Sequence, residues 1–224
     1  MSINDVGMLF SFIGGLGMFL YGMNIMADGL QKSAGGKMQK LMGFLTKNRL
    51  MAILVGAGVT AIIQSSSATT VMVVGFVNAG MLELAQAVGV IMGANIGTTI
   101  TAWIVSMSEW GSVMKPEFFA PLLLGIGAFL VLFTKSEKKK KIGEILVGFS
   151  ILFIGLSFMS DAIKPYREAP IFAQAFAVLG RNPVLAVLAG AVVTAIIQSS
   201  SASVGILQTL ALNGVANWQS AVFI

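Results

Sequence analysis

Apolar runs broken by short polar stretches divide this chain into membrane-length segments. Val6–Gly29 is apolar over enough length to cross a bilayer, for which roughly 20 residues suffice. Its glycines, Gly14, Gly15, Gly17 and Gly22, allow close helix contact. Residues 31–49 interleave Lys32, Lys37, Lys40, Lys47 and Arg49 with Met38, Leu41, Met42, Phe44 and Leu45, the pattern of an amphipathic helix lying at the interface. Leu50–Ile63 and Ala68–Leu82 are apolar arms of 14 and 15 residues on either side of Gln64–Ser67. As helices they reach about 21–23 Å, short of the roughly 30 Å hydrocarbon core. Two short arms with a polar tip predict a re-entrant hairpin, with the tip surrounded by protein or water. Leu84–Met107 has spanning length, but the polar segment Gly93–Thr99 inside it predicts a broken helix. Phe118–Phe133 and Ile142–Ser160 read as further spans joined by a basic loop, Lys135–Lys141. Pro183–Ile197 and Ala202–Leu212 then repeat the hairpin pattern around a second polar break.

The two breaks are copies of one phrase. Thr60–Ala68 and Thr194–Ala202 are identical over nine residues, each carrying Gln-Ser-Ser-Ser. The repetition reaches further: Gly22, Met26 and Asp28 match Gly155, Met159 and Asp161 at an offset of 133, and Asn48 and Gly56 match Asn182 and Gly190 at 134. Charge sets the topology. With a hairpin at 50–82, loops 31–49 and 135–141 share a side and hold ten Lys/Arg, while 108–117 and 161–182 hold four. The positive-inside rule makes the first side cytoplasmic and leaves the N-terminus outside. The first span then runs inward and its partner at 142–160 outward, so the repeats are inverted, an arrangement that puts a substrate site near the midplane at the repeat interface. The expected organisation is a first repeat at 1–134 with its hairpin at about 50–82, a cytoplasmic basic loop at 135–141, and a second repeat at 142–224 with its hairpin at about 183–215. The counterpart of Gly93–Thr99 would begin near position 227, past Ile224, so the second repeat reads as incomplete and the chain as truncated at its C-terminal end.

Composition agrees with a polytopic membrane protein of the all-α class. Of 224 residues 56% are hydrophobic and only 10% charged, against about a quarter charged in soluble domains. The net charge of +5 is explained by the two basic loops and does not point to nucleic acid. Met1–Asp5 lacks a basic segment and does not read as a cleaved signal peptide. With neither Cys nor His, zinc-type metal sites and the usual base and thiol nucleophile of covalent catalysis are excluded. No GxxxxGK[ST] loop is present for ATP. The chain reads as a non-enzyme.

The chemistry concentrates in the polar breaks. Four polar residues amid hydrocarbon-like sequence cost free energy unless something satisfies them. Half-helix N-termini present N–H groups and partial positive charge to an anion, whereas half-helix C-termini and unwound carbonyls suit a small hard cation such as Na+. With no Lys or Arg in the breaks, an anion there calls for cations beside it, which points to co-transport. The competing reading is close packing of small residues with their hydroxyls bonded one turn back; glutamine, too long to pack as a small residue, argues against it. Asn95, Thr98 and Thr99 stay open between a binding role and packing, since Gly93 and Gly97 also form a GxxxG face. Asp28, Asp161, Glu83 and Glu144 read as solvated interfacial charges, and Trp103, Trp110 and Trp218 as interface anchors.

At the paired tetrads the sequence resembles the type II sodium/phosphate cotransporter family, bacterial branch. The doubled Gln-Ser-Ser-Ser is highly specific, and Gly93–Thr99 is similar to the family's companion motif. The resemblance implies uptake of inorganic phosphate with Na+ across the cell (inner) membrane by alternating access, without an organic cofactor. It implies phosphate-binding roles for Ser65, Ser66, Ser67, Ser199, Ser200 and Ser201, and sodium-binding roles for Gln64, Gln198, Asn95, Thr98 and Thr99. Its partners would be phosphate, sodium and the lipid bilayer, with a homo-oligomer or a phosphate-regulatory helical protein as further partners. Rival readings are a carrier of another oxyanion or one coupled to protons, and a non-transporting membrane protein that senses phosphate or organises a partner.

Overall fold

The computed structural model describes residues 3–34, 48–107, 116–166, 174, 178–197 and 199–224. Its regular elements are helical: α1 (Ile3–Ala34), α2 (Arg49–Ile63), α3 (Ser66–Asn78), α4 (Leu84–Ser106), α5 (Pro116–Phe133), α6 (Glu137–Ile163) followed by a 3-10 turn (Lys164–Tyr166), α7 (Pro183–Ile197), α8 (Ser200–Leu212) and α9 (Trp218–Phe223). Four of them are long and apolar enough to cross a membrane: Val6–Ser33, Leu84–Ser106, Pro116–Phe133 and Glu137–Ile163. The arms around the tetrads are shorter apolar helices, as their sequence lengths predict.

The chain forms two compact units. One comprises Met1–Met23, Val105–Pro121 and Phe149–Ile224; the other comprises Asn24–Ile104 and Leu122–Gly148. In the first, Phe19, Leu152, Phe153, Leu156 and Met159 are fully buried. Gly15 and Gly155 bring α1 and α6 so close that a Cβ on Gly155 would lie 2.5 Å from the Gly15 carbonyl oxygen. Phe19 lies over Gly205 of α8. In the second unit, Ala52, Val55, Val59 and Ile63 of α2 form one core with Val73 of α3 and Ala87 and Val90 of α4. Gly127 of α5 and Gly143 of α6 make a further close crossing. Where lipid tails are as apolar as side chains, such small-residue seams supply the packing that water would otherwise drive.

The seam between α2 and α4 is the tightest. A Cβ at Gly56 would meet the Val90 carbonyl, one at Gly93 the Ile53 carbonyl, and one at Gly97 the Ala57 carbonyl. Gly89, Gly93 and Gly97 recur every fourth residue and lie on one face of α4. This corrects the expectation of a broken helix at Gly93–Thr99. The helix is continuous there, because the glycines serve contact and the Thr98 and Thr99 hydroxyls bond back to the Ala94 and Ile96 carbonyls.

Two other expectations shift. The basic stretch at 135–141 is a loop only at its start: α6 begins at Glu137, whose acid suits a helix N-terminus and whose carboxylate pairs with Lys140 at 3.4 Å. Lys138–Lys141 therefore ride on the first turns of α6. The first helix runs on to Ala34, and the amphipathic segment expected at 31–49 otherwise lies largely outside the described residues. Trp110 also lies outside them.

The repeated sequence builds repeated local structure. Asn48 and Asn182 cap α2 and α7 by accepting from Leu50 N–H and Leu185 N–H. Both α3 and α8 end in a Schellman motif with a left-handed glycine, Gly80 (φ 68°) and Gly214 (φ 69°). Gly190 faces the Ile224 carbonyl as Gly56, 134 residues earlier, faces that of Val90.

Gly56→Ala and Gly190→Ala are each expected to lower stability by about 1–3 kcal/mol, because the methyl group would meet backbone, that of Val90 on α4 and that of Ile224 just past α9. Gly125→Ala, with nothing near its Cβ position, is expected to be neutral or to gain up to about 1 kcal/mol of helix propensity. Thermal unfolding of the three variants in detergent checks this, and an unaffected Gly56→Ala would remove the seam from the packing account.

Candidate functional site

The first tetrad sits where α2 stops and α3 starts. Gln64 is the C-cap of α2 in the left-handed conformation (φ 57°, ψ 23°), the single non-glycine with positive φ among the described residues. That conformation costs about 1–2 kcal/mol for an L-residue, so the surroundings must hold it. The Gln64 N–H donates to the Thr60 carbonyl at 2.7 Å, and its Nε2 donates to the Ala61 carbonyl at 2.6 Å. Its Oε1 accepts from the Thr101 hydroxyl of α4 at 2.7 Å. One step on, Ser65 turns extended (φ −142°) and caps α3, its Oγ accepting from Ala68 N–H at 3.1 Å.

A clasp holds the two arms across the break. The Thr60 hydroxyl donates to that of Thr69 at 2.9 Å, and the Thr69 hydroxyl donates to the Ser65 carbonyl at 3.0 Å. Both threonines are fully buried. A neutral pair of this kind avoids the larger penalty of a buried hydroxyl left unpaired.

The second tetrad repeats the device. Ser199 (φ −147°) caps α8 by accepting from Ala202 N–H at 3.2 Å, and the Thr194 hydroxyl donates to that of Ser203 at 2.9 Å. The Ser203 hydroxyl in turn donates to the Ser199 carbonyl at 3.1 Å. Gln198 lies outside the described residues.

In both copies the second and third serines occupy the first helical turn, where backbone N–H groups have no carbonyl one turn back to bond. Ser66, Ser67, Ser200 and Ser201 are half-buried or exposed, and their hydroxyls make no hydrogen bond among the described residues. Each tetrad thus presents paired hydroxyls and paired N–H groups at the positive end of a helix dipole.

Of the sequence-predicted residues on α4, none hydrogen-bonds to the break among the described residues. Asn95 and Thr99 are exposed and lie on the side away from the Gly93–Gly97 seam; Thr98 is half-buried. The residue on Gln64 is Thr101, 2% exposed and four positions beyond Gly97 on the same face. Sequence reasoning passed over it. The every-fourth-residue register Gly89, Gly93, Gly97, Thr101 was the available signal.

The interfacial acids are placed on helix surfaces. Asp28 is exposed, and Glu144 accepts from Lys32 at 2.9 Å. Asp161 accepts from Lys164 at 2.7 Å, and this hydrogen bond and its charge raise the lysine above its usual value. Trp103 and Trp218 are exposed near helix ends. No group of three or more carboxylates that could hold a metal ion exists among the described residues.

The Na+/Pi-cotransporter family profile matches residues 18–161, well over half the chain. The chain belongs to this family. It is a family of membrane transporters rather than enzymes, and the chain is a multi-pass membrane protein. YqeW of Bacillus subtilis is 32% identical over 214 residues, covering 96% of the chain and 67% of that protein. YjbB of Escherichia coli K12, named for inorganic phosphate export, is 27% identical over 96% of the chain, which spans only 38% of its length. Human sodium-dependent phosphate transport protein 2B is 36% identical over 116 residues, half of the chain and 16% of that protein. No solved structure matches the chain.

For this Na+/Pi-cotransporter family member, Thr101→Val is expected to cost about 1–2 kcal/mol by stripping Gln64 Oε1 of its donor, and Thr101→Ser to restore most of it. Unfolding in detergent measures both. Equal stability of the valine variant would show that α4 does not lock the break.

Proposed function

We propose that this chain forms the membrane core of a sodium-coupled symporter of inorganic phosphate working by alternating access. The observation that carries the reading is the tetrad geometry: two copies of a helix start whose hydroxyls and N–H groups remain open for an anion. Ser65, Ser66, Ser67, Ser199, Ser200 and Ser201 are the proposed phosphate-binding residues, with the first serine of each copy shaping the turn and the other two presenting donors.

Sodium takes the opposite helix end. The last carbonyls of α2 and the second lone pair of Gln64 Oε1 offer hard oxygen ligands, and Gln198 is assigned the same role. Asn95, Thr98 and Thr99 remain in the sodium proposal: the Thr98 and Thr99 hydroxyls donate to the Ala94 and Ile96 carbonyls and keep oxygen lone pairs for a cation.

In the bilayer, the arms flanking each tetrad enter and leave on one side as re-entrant hairpins, and repeats 1–134 and 142–224 have inverted topology around the basic segment 135–141. The charge bias supports this, placing residues 31–49 and 135–141 in the cytoplasm, the N-terminus outside, and the chain in the cell membrane.

The similarity to a protein named for phosphate export favours a second reading of direction, in which the same site releases phosphate. Symport is reversible, so the gradients decide. Phosphate flux in vesicles carrying the complete protein, measured as uptake and as efflux with and without a sodium gradient, separates the two. Sodium-independent flux in both directions would overturn the coupling. Ser66→Ala and Ser200→Ala are each expected to weaken phosphate about tenfold or more, the loss of one hydrogen bond from a desolvated site. Unchanged apparent affinity in both variants would return the serines to packing.

A further inference from the structure

The Gln64 amide is held at both of its ends, and the two holds come from different helices. On one side is the Ala61 carbonyl of its own helix α2; on the other is the Thr101 hydroxyl of α4. These partners fix which way the amide faces. A carbonyl can only accept, so Nε2 lies against Ala61 at 2.6 Å and Oε1 is turned toward the hydroxyl.

Thr101 differs from the other threonines of its helix in where it sends its proton. A threonine inside a helix commonly bonds back to a carbonyl one turn before it, as Thr98 does to Ala94 and Thr99 to Ile96. Thr101 instead reaches across the seam to α2, at 2.7 Å. It does so from a buried position, on the face where Gly93 and Gly97 let the two backbones touch.

Both oxygens of this contact keep capacity. Gln64 Oε1 has a second lone pair, and the Thr101 oxygen gives up its proton but not its lone pairs. Neutral oxygens beside the freed carbonyls at the end of α2 are the ligands that a small hard cation takes. Such a ligand works only when held to within about half an ångström. A glutamine anchored at Nε2 alone can swing about that one bond; the hydroxyl supplies the second point.

We propose that Thr101 is a positioning residue for sodium at the first tetrad, fixing Gln64 Oε1 across the α2–α4 seam. This rests on the symport reading above and adds a residue to it. It also separates the two ions: the Thr101 proton goes to the glutamine and not to a tetrad serine, so its loss is felt by sodium before phosphate.

The test is phosphate flux in vesicles carrying the complete protein, titrated with sodium at saturating phosphate and with phosphate at saturating sodium. Thr101→Val is expected to weaken apparent sodium affinity about tenfold and to leave apparent phosphate affinity within about twofold of the unaltered protein. Thr101→Ser, which keeps the hydroxyl, is expected to restore sodium affinity. Thr101→Cys puts a weak donor in the serine's place and is expected to fall between the two; it carries the test if the valine variant does not fold. Gly127→Ala, at the tight crossing of α5 with α6, disturbs packing away from Gln64 and is expected to leave sodium affinity unchanged. Sodium-dependent flux with undiminished sodium affinity in the valine and cysteine variants would overturn the positioning role alone. So would an equal loss of sodium and phosphate affinity that serine does not rescue. Sodium-independent flux in the unaltered protein would overturn the symport reading and this one with it.

Discussion

A helix interrupted inside an apolar stretch must dispose of the backbone groups it frees, and this requirement governs the structure around each tetrad. The interruption at Gln64 releases the last carbonyls of α2 and the first N–H groups of α3. In lipid those groups find no water, so protein must satisfy them or leave them for a ligand. The chain does some of each. Gln64 answers two of the carbonyls, those of Thr60 and Ala61, through its own N–H and side-chain amide, Ser65 caps one N–H, and the Thr60–Thr69 pair ties the arms. The N–H groups of Ser66 and Ser67 have no partner among the described residues. A break whose polar groups were all satisfied would be a packing device; paired donors left open at two like places are what the phosphate proposal rests on.

The glycine seam makes this break possible. Gln64 keeps a conformation that costs about 1–2 kcal/mol because α4 comes near enough for Thr101 to reach it. That approach exists because Gly56, Gly93 and Gly97 carry no Cβ. A side chain at any of them would push the helices apart and withdraw the hydroxyl from the glutamine. Gly93, Gly97 and Thr101, 26 to 37 residues along the chain from the tetrad, thus hold its geometry. In the second copy Gly190 likewise meets a backbone carbonyl, that of Ile224, and Ser199 caps α8 as Ser65 caps α3.

What could be read beforehand followed from period and composition. The helices beside the tetrads start and stop within a few residues of the polar breaks, because lengths of apolar runs and Asn and Ser caps are local properties. The role of Gly93–Thr99 was not legible. Glycine and threonine in a membrane helix are consistent with a break or with close contact, and only the facing helix decides; here Ile53 and Ala57 of α2 do. Asn95 stood out by polarity, yet it lies two residues from each seam glycine and therefore on the far side of α4. Thr101 looked ordinary and holds the glutamine. The basic stretch misled for a related reason: lysines after a glutamate suit a helix as well as a loop, and Lys32 and Glu144 join α1 to α6 just beyond it.

Charge arithmetic explains why a site of this kind would need sodium. Each tetrad offers a helix N-terminus equivalent to about half a positive charge, and neither the tetrads nor residues 93–101 contain Lys or Arg. Even summed over both copies, the dipoles fall short of a phosphate dianion. A lysine in place of a serine would close the deficit permanently, but it would also hold the anion too tightly to release and would carry its own burial cost on every empty cycle. Cations that arrive and leave with the substrate remove that cost, because the protein then returns neutral. On the proposed reading, the neutrality of Gln-Ser-Ser-Ser is informative in itself: it would leave the counter-charge to a cation that travels with the anion.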